Sequence, residues 1–190
     1  MKHIAIISAS VRSGRKSHRV ALYFEKYIQE HQLGTAEILD LAAYQFPVFE
    51  ERLKLQQTPL PAAVAFAEKI KTADGVIIVT PEYNGGYPAA LKNVTDLLYT
   101  EWKRRPIAIC TVSDGMFGGT QVLTSLQFTL WKIGAWTVPA MFPVPKVETT
   151  FDETGNALDK EGTDKRASAY LNELLWCMEA KGKMDAGNGS

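Results

Sequence analysis

Five short apolar runs, at residues Lys2 to Ser8, Ala36 to Leu41, Val76 to Val79, Pro106 to Val112 and Ala135 to Pro139, punctuate this chain. Between them, apolar residues recur every three to four positions. Ser17 to His31 carries Val20, Leu22, Tyr23, Phe24, Tyr27 and Ile28, and Pro61 to Lys71 carries Val64, Phe66, Ala67 and Ile70. Pro88 to Thr100, Gly119 to Ile133 and Lys160 to Lys181 read the same way. Runs of that length predict strands, and the periodic stretches predict helices. The continuous β-branched run Val76-Ile77-Ile78-Val79 suits a central parallel strand buried on both faces. Strand and helix in strict alternation predict an α/β fold with five parallel strands and helices on both faces of the sheet.

Two stretches break the pattern. Ala42 to Pro61 and Ala140 to Asp159 are polar and punctuated by prolines, and both read as long loops, which are usually functional or interfacial. Residues 1–182 read as one domain and residues 183–190 as a disordered tail. A chain of 190 residues fits a single domain of roughly 100–200 residues.

Charge and cysteine content exclude several classes. Lys and Arg balance Asp and Glu at 21 each, so the chain lacks the positive field that a nucleic-acid backbone requires. No apolar run approaches the roughly 20 residues that span a bilayer, and Ile4 to Ile7 is too short for a signal peptide. Cys110 and Cys177 sit far apart in apolar surroundings, which suggests neither a disulfide framework nor a cysteine metal site and points to a reducing cytoplasm. His3, His18 and His31 form no triad with a serine or cysteine, and no acidic or histidine cluster has metal-ligand spacing.

Ligands of open parallel sheets bind beyond the carboxyl ends of the strands, where strand order reverses, so the loops after the first, third and fourth strands hold the candidate chemistry. The first runs Ser8-Ala9-Ser10-Val11-Arg12-Ser13-Gly14-Arg15-Lys16-Ser17-His18-Arg19. Its hydroxyls, free N–H groups, helix N-terminus and forked Arg12 or Arg15 outline a phosphate site. Equally, Ser17 suits a simple helix cap and the basic residues a solvated loop. The spacing matches neither a P-loop nor a dinucleotide fingerprint, which leaves a mononucleotide. The second loop, Thr80-Pro81-Glu82-Tyr83-Asn84-Gly85-Gly86-Tyr87-Pro88, offers glycines for close backbone approach and tyrosines that either meet a flat ring or pack at a strand end. Lys92, Asn93 and Asp96 beyond it read as helix surface or subunit contact. The third loop, Ser113-Asp114-Gly115-Met116-Phe117-Gly118-Gly119-Thr120, is another glycine-rich turn into a helix.

Together these loops resemble the NADPH-dependent FMN reductase family, flavodoxin-like enzymes that include quinone, chromate and azo-dye reductases. The resemblance covers about Lys2 to Pro145, and its most specific part is Pro81-Glu82-Tyr83-Asn84 with Leu91-Lys92-Asn93. It implies a strand order of 2-1-3-4-5 and FMN as cofactor. Ser10, Arg12, Arg15, Ser17, His18 and Arg19 would surround the phosphate, and Pro81, Glu82, Tyr83, Asn84 and Gly85 would line the ribityl chain and ring. Ser113, Asp114, Gly115 and Gly118 would close the pyrimidine side. Many members place the serine three residues after the arginine and follow it with asparagine, whereas Ser17 here stands five after Arg12 and precedes His18-Arg19.

The implied activity is transfer of hydride from NADPH, or NADH, through FMN to a small-molecule acceptor such as free flavin, a quinone, chromate or an azo compound. The flavin would carry the chemistry without a dedicated acid or base. Arg15, Lys16 and Arg19 at the rim are candidates for the NADPH 2′-phosphate. The alternative is a non-catalytic, flavodoxin-type electron carrier, which would usually be strongly acidic. Members of the family commonly form dimers or dimers of dimers, so a homodimer or homotetramer is expected. Phe46 to Glu50, Trp102 and Trp131 would then supply contacts, or else complete the core.

Overall fold

The computed structural model describes residues 1–187. Five strands, β1 (His3–Ser8), β2 (Thr35–Asp40), β3 (Gly75–Pro81), β4 (Pro106–Val112) and β5 (Trp136–Val144), pair in parallel in the order β2-β1-β3-β4-β5. Order reverses between β1 and β3, which creates the crevice at their carboxyl ends.

The sheet is buried on both sides because its strands alternate between two cores. Ile4, Ile6, Ile77, Val79, Ala108 and Cys110 point to one face and pack against α1 (His18–Glu30) and α7 (Lys160–Gly187). Ala5, Ile7, Val76, Ile78, Ile107 and Ile109 point to the other, covered by α3 (Pro61–Thr72), α4 (Ala89–Leu97) and α5 (Gln121–Lys132). Every residue of β3 and β4 is buried, as a strand between two helical layers must be.

Several expectations need correction. The stretch read as a loop after β2 contains α2 (Leu41–Tyr44), whose N-cap Asp40 accepts a hydrogen bond from the Ala42 N–H, and a 3-10 turn at Leu53–Leu55. Asn93 on α4 fastens that segment, accepting from the Phe49 N–H at 2.5 Å and donating to the Pro47 carbonyl at 2.7 Å. β5 continues past Pro139 to Val144, because an edge strand tolerates the N–H groups that proline removes; between Ile107 and Ile109 its register against β4 slips by two residues. The following segment includes α6 (Val147–Thr150). The tail expected from residue 183 is helical as far as Gly187, held by the i,i+4 ion pairs Lys181 with Asp185 and Lys183 with Glu179; residues 188–190 lie outside the described residues. Trp102 is fully buried in the core, its indole N–H donating to the Thr95 carbonyl at 3.2 Å, while Trp131 is 66% exposed. No helix among the described residues is long and apolar enough to cross a membrane.

Candidate functional site

β1 hands the chain to the first loop still tied to the sheet, with the Ala9 N–H donating to the Val79 carbonyl at 3.0 Å. Ser10 is completely buried, and its hydroxyl shares a 2.7 Å hydrogen bond with the Tyr83 hydroxyl from the loop after β3. Arg12 to Arg15 then form a turn closed by the Arg15 N–H on the Arg12 carbonyl at 3.2 Å. Gly14 sits there at φ +68°, with open space where a Cβ would lie, so glycine serves the backbone conformation alone.

Ser17 opens α1 in an unusual way. It occupies the N-cap position with helical backbone angles, its hydroxyl makes no capping bond, and the first turn holds no acidic residue. The hydroxyl is buried without a hydrogen-bond partner among the described residues, although serine at this position normally satisfies an orphan N–H of the first turn. The positive end of the helix dipole is thus left without a negative side chain of its own, which is the electrostatic condition for binding an anion.

A cleft of about 440 Å³ opens at this point. Ser10, Arg12, Ser13, Gly14, Arg15, Lys16 and Ser17 line one wall, Pro81, Glu82 and Tyr83 a second, and Val112, Ser113, Asp114 and Val147 a third. A hollow of about 360 Å³ under residues 46–60 is lined by Phe46, Phe49, Leu60 and Leu97 and lies apart from the three loops.

The cations of the first loop are not equivalent. Arg15 grips Asp40 through both terminal nitrogens and donates from one of them to the Ser10 carbonyl at 2.7 Å. The hydrogen bonds it donates to Asp40 raise the Arg15 pKa, and in return Asp40 is held below the ordinary carboxylate value; burial pushes it up, but bonds from Arg15 and the Ala42 N–H outweigh that. Lys16 lies 2.5 Å from Glu148 and 3.7 Å from Asp114, lacing the first loop to α6 and to the third loop. Arg19 donates to the Phe151 carbonyl at 3.1 Å and lies 3.6 Å from Glu153. His18 is bonded through Nδ1 to the Ser8 hydroxyl at 3.0 Å, and burial, then the nearby Arg15, lower its pKa and favour the neutral ring. Only Arg12 extends an exposed guanidinium with no protein partner among the described residues.

The second loop is a two-residue hairpin. Tyr83 and Gly86 exchange N–H to carbonyl bonds of 2.8 and 3.0 Å, with Asn84 at φ +52° and Gly85 at φ +78°, the pair of positive angles a type I′ turn needs. That turn sets the Tyr83 ring beside Ser10 and leaves Asn84 and Gly85 exposed at its tip. The third loop is fixed from β5 and α6: the Ser113 N–H donates to the Val144 carbonyl at 3.0 Å, and the Gly115 carbonyl accepts from the Lys146 N–H at 3.2 Å. Gly118, at φ +61°, packs so closely on Pro143 and Val144 that a Cβ would stand 3.0 Å from both.

Of the residues expected from sequence, the cleft brings together Ser10, Arg12, Arg15, Ser17, Pro81, Glu82, Tyr83, Ser113 and Asp114. His18, Arg19, Asn84, Gly85, Gly115 and Gly118 do not line it; they support the loops from behind or at their tips. Ser13, Gly14 and Lys16 line it through their place in the same loop, and Val112 through its place at the end of β4. Val147 had no local signal, because α6 lies in a stretch that reads as loop.

A family model described as NADPH-dependent FMN reductase matches residues 1–149. The chain is 31% identical over 140 residues to the NAD(P)H-dependent FMN reductase LOT6 of Saccharomyces cerevisiae, covering 67% of this chain and 72% of that protein. It is 30% identical over 167 residues to a quinone reductase of Pseudomonas putida, covering 83% and 85%. Among solved structures, the FerB flavoenzyme NAD(P)H:(acceptor) oxidoreductase of Paracoccus denitrificans superposes with a TM-score of 0.74 at 23% identity, over 95% of this chain and 98% of that one.

Proposed function

Because the chain belongs to the NADPH-dependent FMN reductase family, we propose that its cleft seats FMN with the phosphate at the N-terminus of α1 and the ring beside Tyr83. Arg12 and Ser17 are the phosphate ligands in this reading. The observation that carries it is their common condition: a guanidinium and a buried hydroxyl that have no partner among the described residues, both lining one cleft at an uncapped helix start. These residues fit a phosphate monoester, which brings the acceptor oxygens that both lack.

The protein is an oxidoreductase that uses NAD(P)H and FMN. FMN, when bound, supplies the two-electron chemistry. The chain's own part is to bind and orient. Arg12 and Ser17 anchor one end of the cofactor, and the Ser10 hydroxyl fixes the Tyr83 ring against which its flat part would lie. The backbone of the third loop, pinned by Val144 and Lys146, closes the remaining side. Each of Arg15, Lys16 and Arg19 already faces a carboxylate, so none is assigned to the NADPH 2′-phosphate.

The acceptor in this reading is a small molecule such as a quinone, after the named activity of the Pseudomonas relative. We place the enzyme in the cytoplasm as a homodimer or homotetramer built on one flavin-binding unit over residues 1–182. Two unpaired buried cysteines and the exposed rings of Phe128, Trp131 and Trp176 support that placement. The experiment is direct: purify the protein, identify any yellow chromophore, titrate FMN by fluorescence quenching, and follow NADPH oxidation with benzoquinone. Bound FMN and quinone-dependent turnover are expected. Failure to bind FMN would overturn the reading.

A further inference from the structure

We propose that Arg15 and Asp40 are positioning residues, a clamp that holds the first loop in its phosphate-binding shape without touching the phosphate. The proposal rests on the FMN reading above and concerns how that site is kept in form.

The geometry assigns the role. Arg15 lies in the cleft wall, where a forked guanidinium is the expected phosphate ligand, yet both of its terminal nitrogens are committed to Asp40 and one of them also to the Ser10 carbonyl, 2.7 Å away. Three of its five N–H donors are thus used, and the fork between the two terminal nitrogens is filled by a bidentate carboxylate that a phosphate could take over only by displacing it. Asp40 is itself tied to the fold on two sides. It ends β2, pairs in register with Ser8 of β1, and accepts the Ala42 N–H at 3.0 Å as the cap of α2.

Ser10 is therefore held from two directions: its carbonyl by Arg15, anchored on β2, and its hydroxyl by Tyr83, anchored on the turn after β3. The Arg12 N–H also approaches the Ser10 hydroxyl, at 3.4 Å. A continuous line, Asp40 to Arg15 to Ser10 to Tyr83, thus runs beneath the cleft and fixes the start of the segment from which Arg12 and Ser17 project. Without the clamp, that segment must be ordered by the ligand, and the ordering cost appears as lost affinity for the phosphorylated flavin.

The test uses the full-length protein and two flavins, FMN and riboflavin, which differ only in the phosphate. For Asp40→Asn, which breaks the charged fork while keeping the size of the side chain, the FMN dissociation constant is expected to rise about tenfold or more, the scale of one lost charge-assisted contact. Riboflavin affinity should stay within about twofold of wild type. Were Arg15 a direct phosphate ligand, Asp40→Asn would free it, and FMN affinity would hold or improve; that result overturns the proposal. An equal loss for both flavins would also overturn it, because it would reveal general loosening. Arg15→Lys supplies a second reading should the first variant not fold: it keeps the cation but loses the fork, so FMN-selective weakening is expected and wild-type affinity would refute the clamp. If the wild-type protein fails to bind FMN, the cofactor reading falls first and the clamp with it.

Discussion

Ser17→Ala should move two measurements in opposite directions. The Ser17 hydroxyl is buried, 3% of the residue being exposed, and has no hydrogen-bond partner among the described residues. An unsatisfied buried hydroxyl costs about 1–3 kcal/mol, which alanine relieves at the expense of a small void. The usual loss of roughly 1 kcal/mol on removing a serine N-cap does not apply, because no capping bond exists to lose. Flavin-free Ser17→Ala should therefore be as stable as wild type or more stable by about 1 kcal/mol, read from urea unfolding. With FMN, the same change removes a donor to a charged phosphate, worth about 1.5–3 kcal/mol, so the dissociation constant should rise roughly 10- to 150-fold. A flavin-free variant destabilised by about 1 kcal/mol would reveal a hydroxyl already partnered in the folded protein. Unchanged FMN affinity would place the phosphate elsewhere.

Three further outcomes follow from the same geometry. Arg12→Ala should weaken FMN by about 10- to 100-fold while sparing riboflavin, with the gap narrowing at high salt; equal effects on both flavins would contradict a phosphate contact. Gly155→Ala should cost about 2–5 kcal/mol in guanidinium unfolding, since Gly155 stands at φ +86° and a Cβ would meet the Leu22 Cβ at 2.6 Å and the Arg19 carbonyl at 2.8 Å, neither of which can swing aside; a cost under about 1 kcal/mol would refute this. His18 has a folded pKa below its ordinary 6.5, so the unfolded chain takes up a proton that the folded protein refuses. The stability involved is whole above 6.5 and is lost as pH falls through the lower folded value. His18→Gln should flatten unfolding free energy against pH as the pH falls below 6.5, and identical slopes would argue against a suppressed histidine.

The sheet was legible in the sequence because its interior strands are short apolar runs bounded by turn residues, and the β-branched Val76 to Val79 suits a strand buried on both faces. The helices were legible from their periodic faces. β5 was cut short by reading Pro139 as a stop, a rule that holds for central strands and fails at an edge. α2 and α6, one turn each, are too short for a periodic signal. At the site, the clustering of hydroxyls and cations in the first loop was legible, but the division of labour among those cations was not. Arg15, Lys16 and Arg19 find their carboxylates on β2, α6 and the loop after α6, partners 25 to more than 130 residues away, and no local pattern predicts such pairings. The same loop shows Arg12 as its cation without a partner among the described residues only once the others have been placed.

The two prolines of β5 bear on how the protein behaves when it is crowded. An open sheet has two edges, and an exposed edge strand can recruit further strands from other chains. Pro139 and Pro143 remove two donors from one edge, and the register slip against β4 distorts it further, which makes it a poor template. The other edge, β2, is only six residues long and carries Glu37, paired with Lys69. Val76 to Val79, an uncharged β-branched segment of the kind that favours fibril formation, belongs to the middle strand, two strands from either edge. Concentrated stocks should resist strand-templated aggregation for as long as the native sheet stays closed around it.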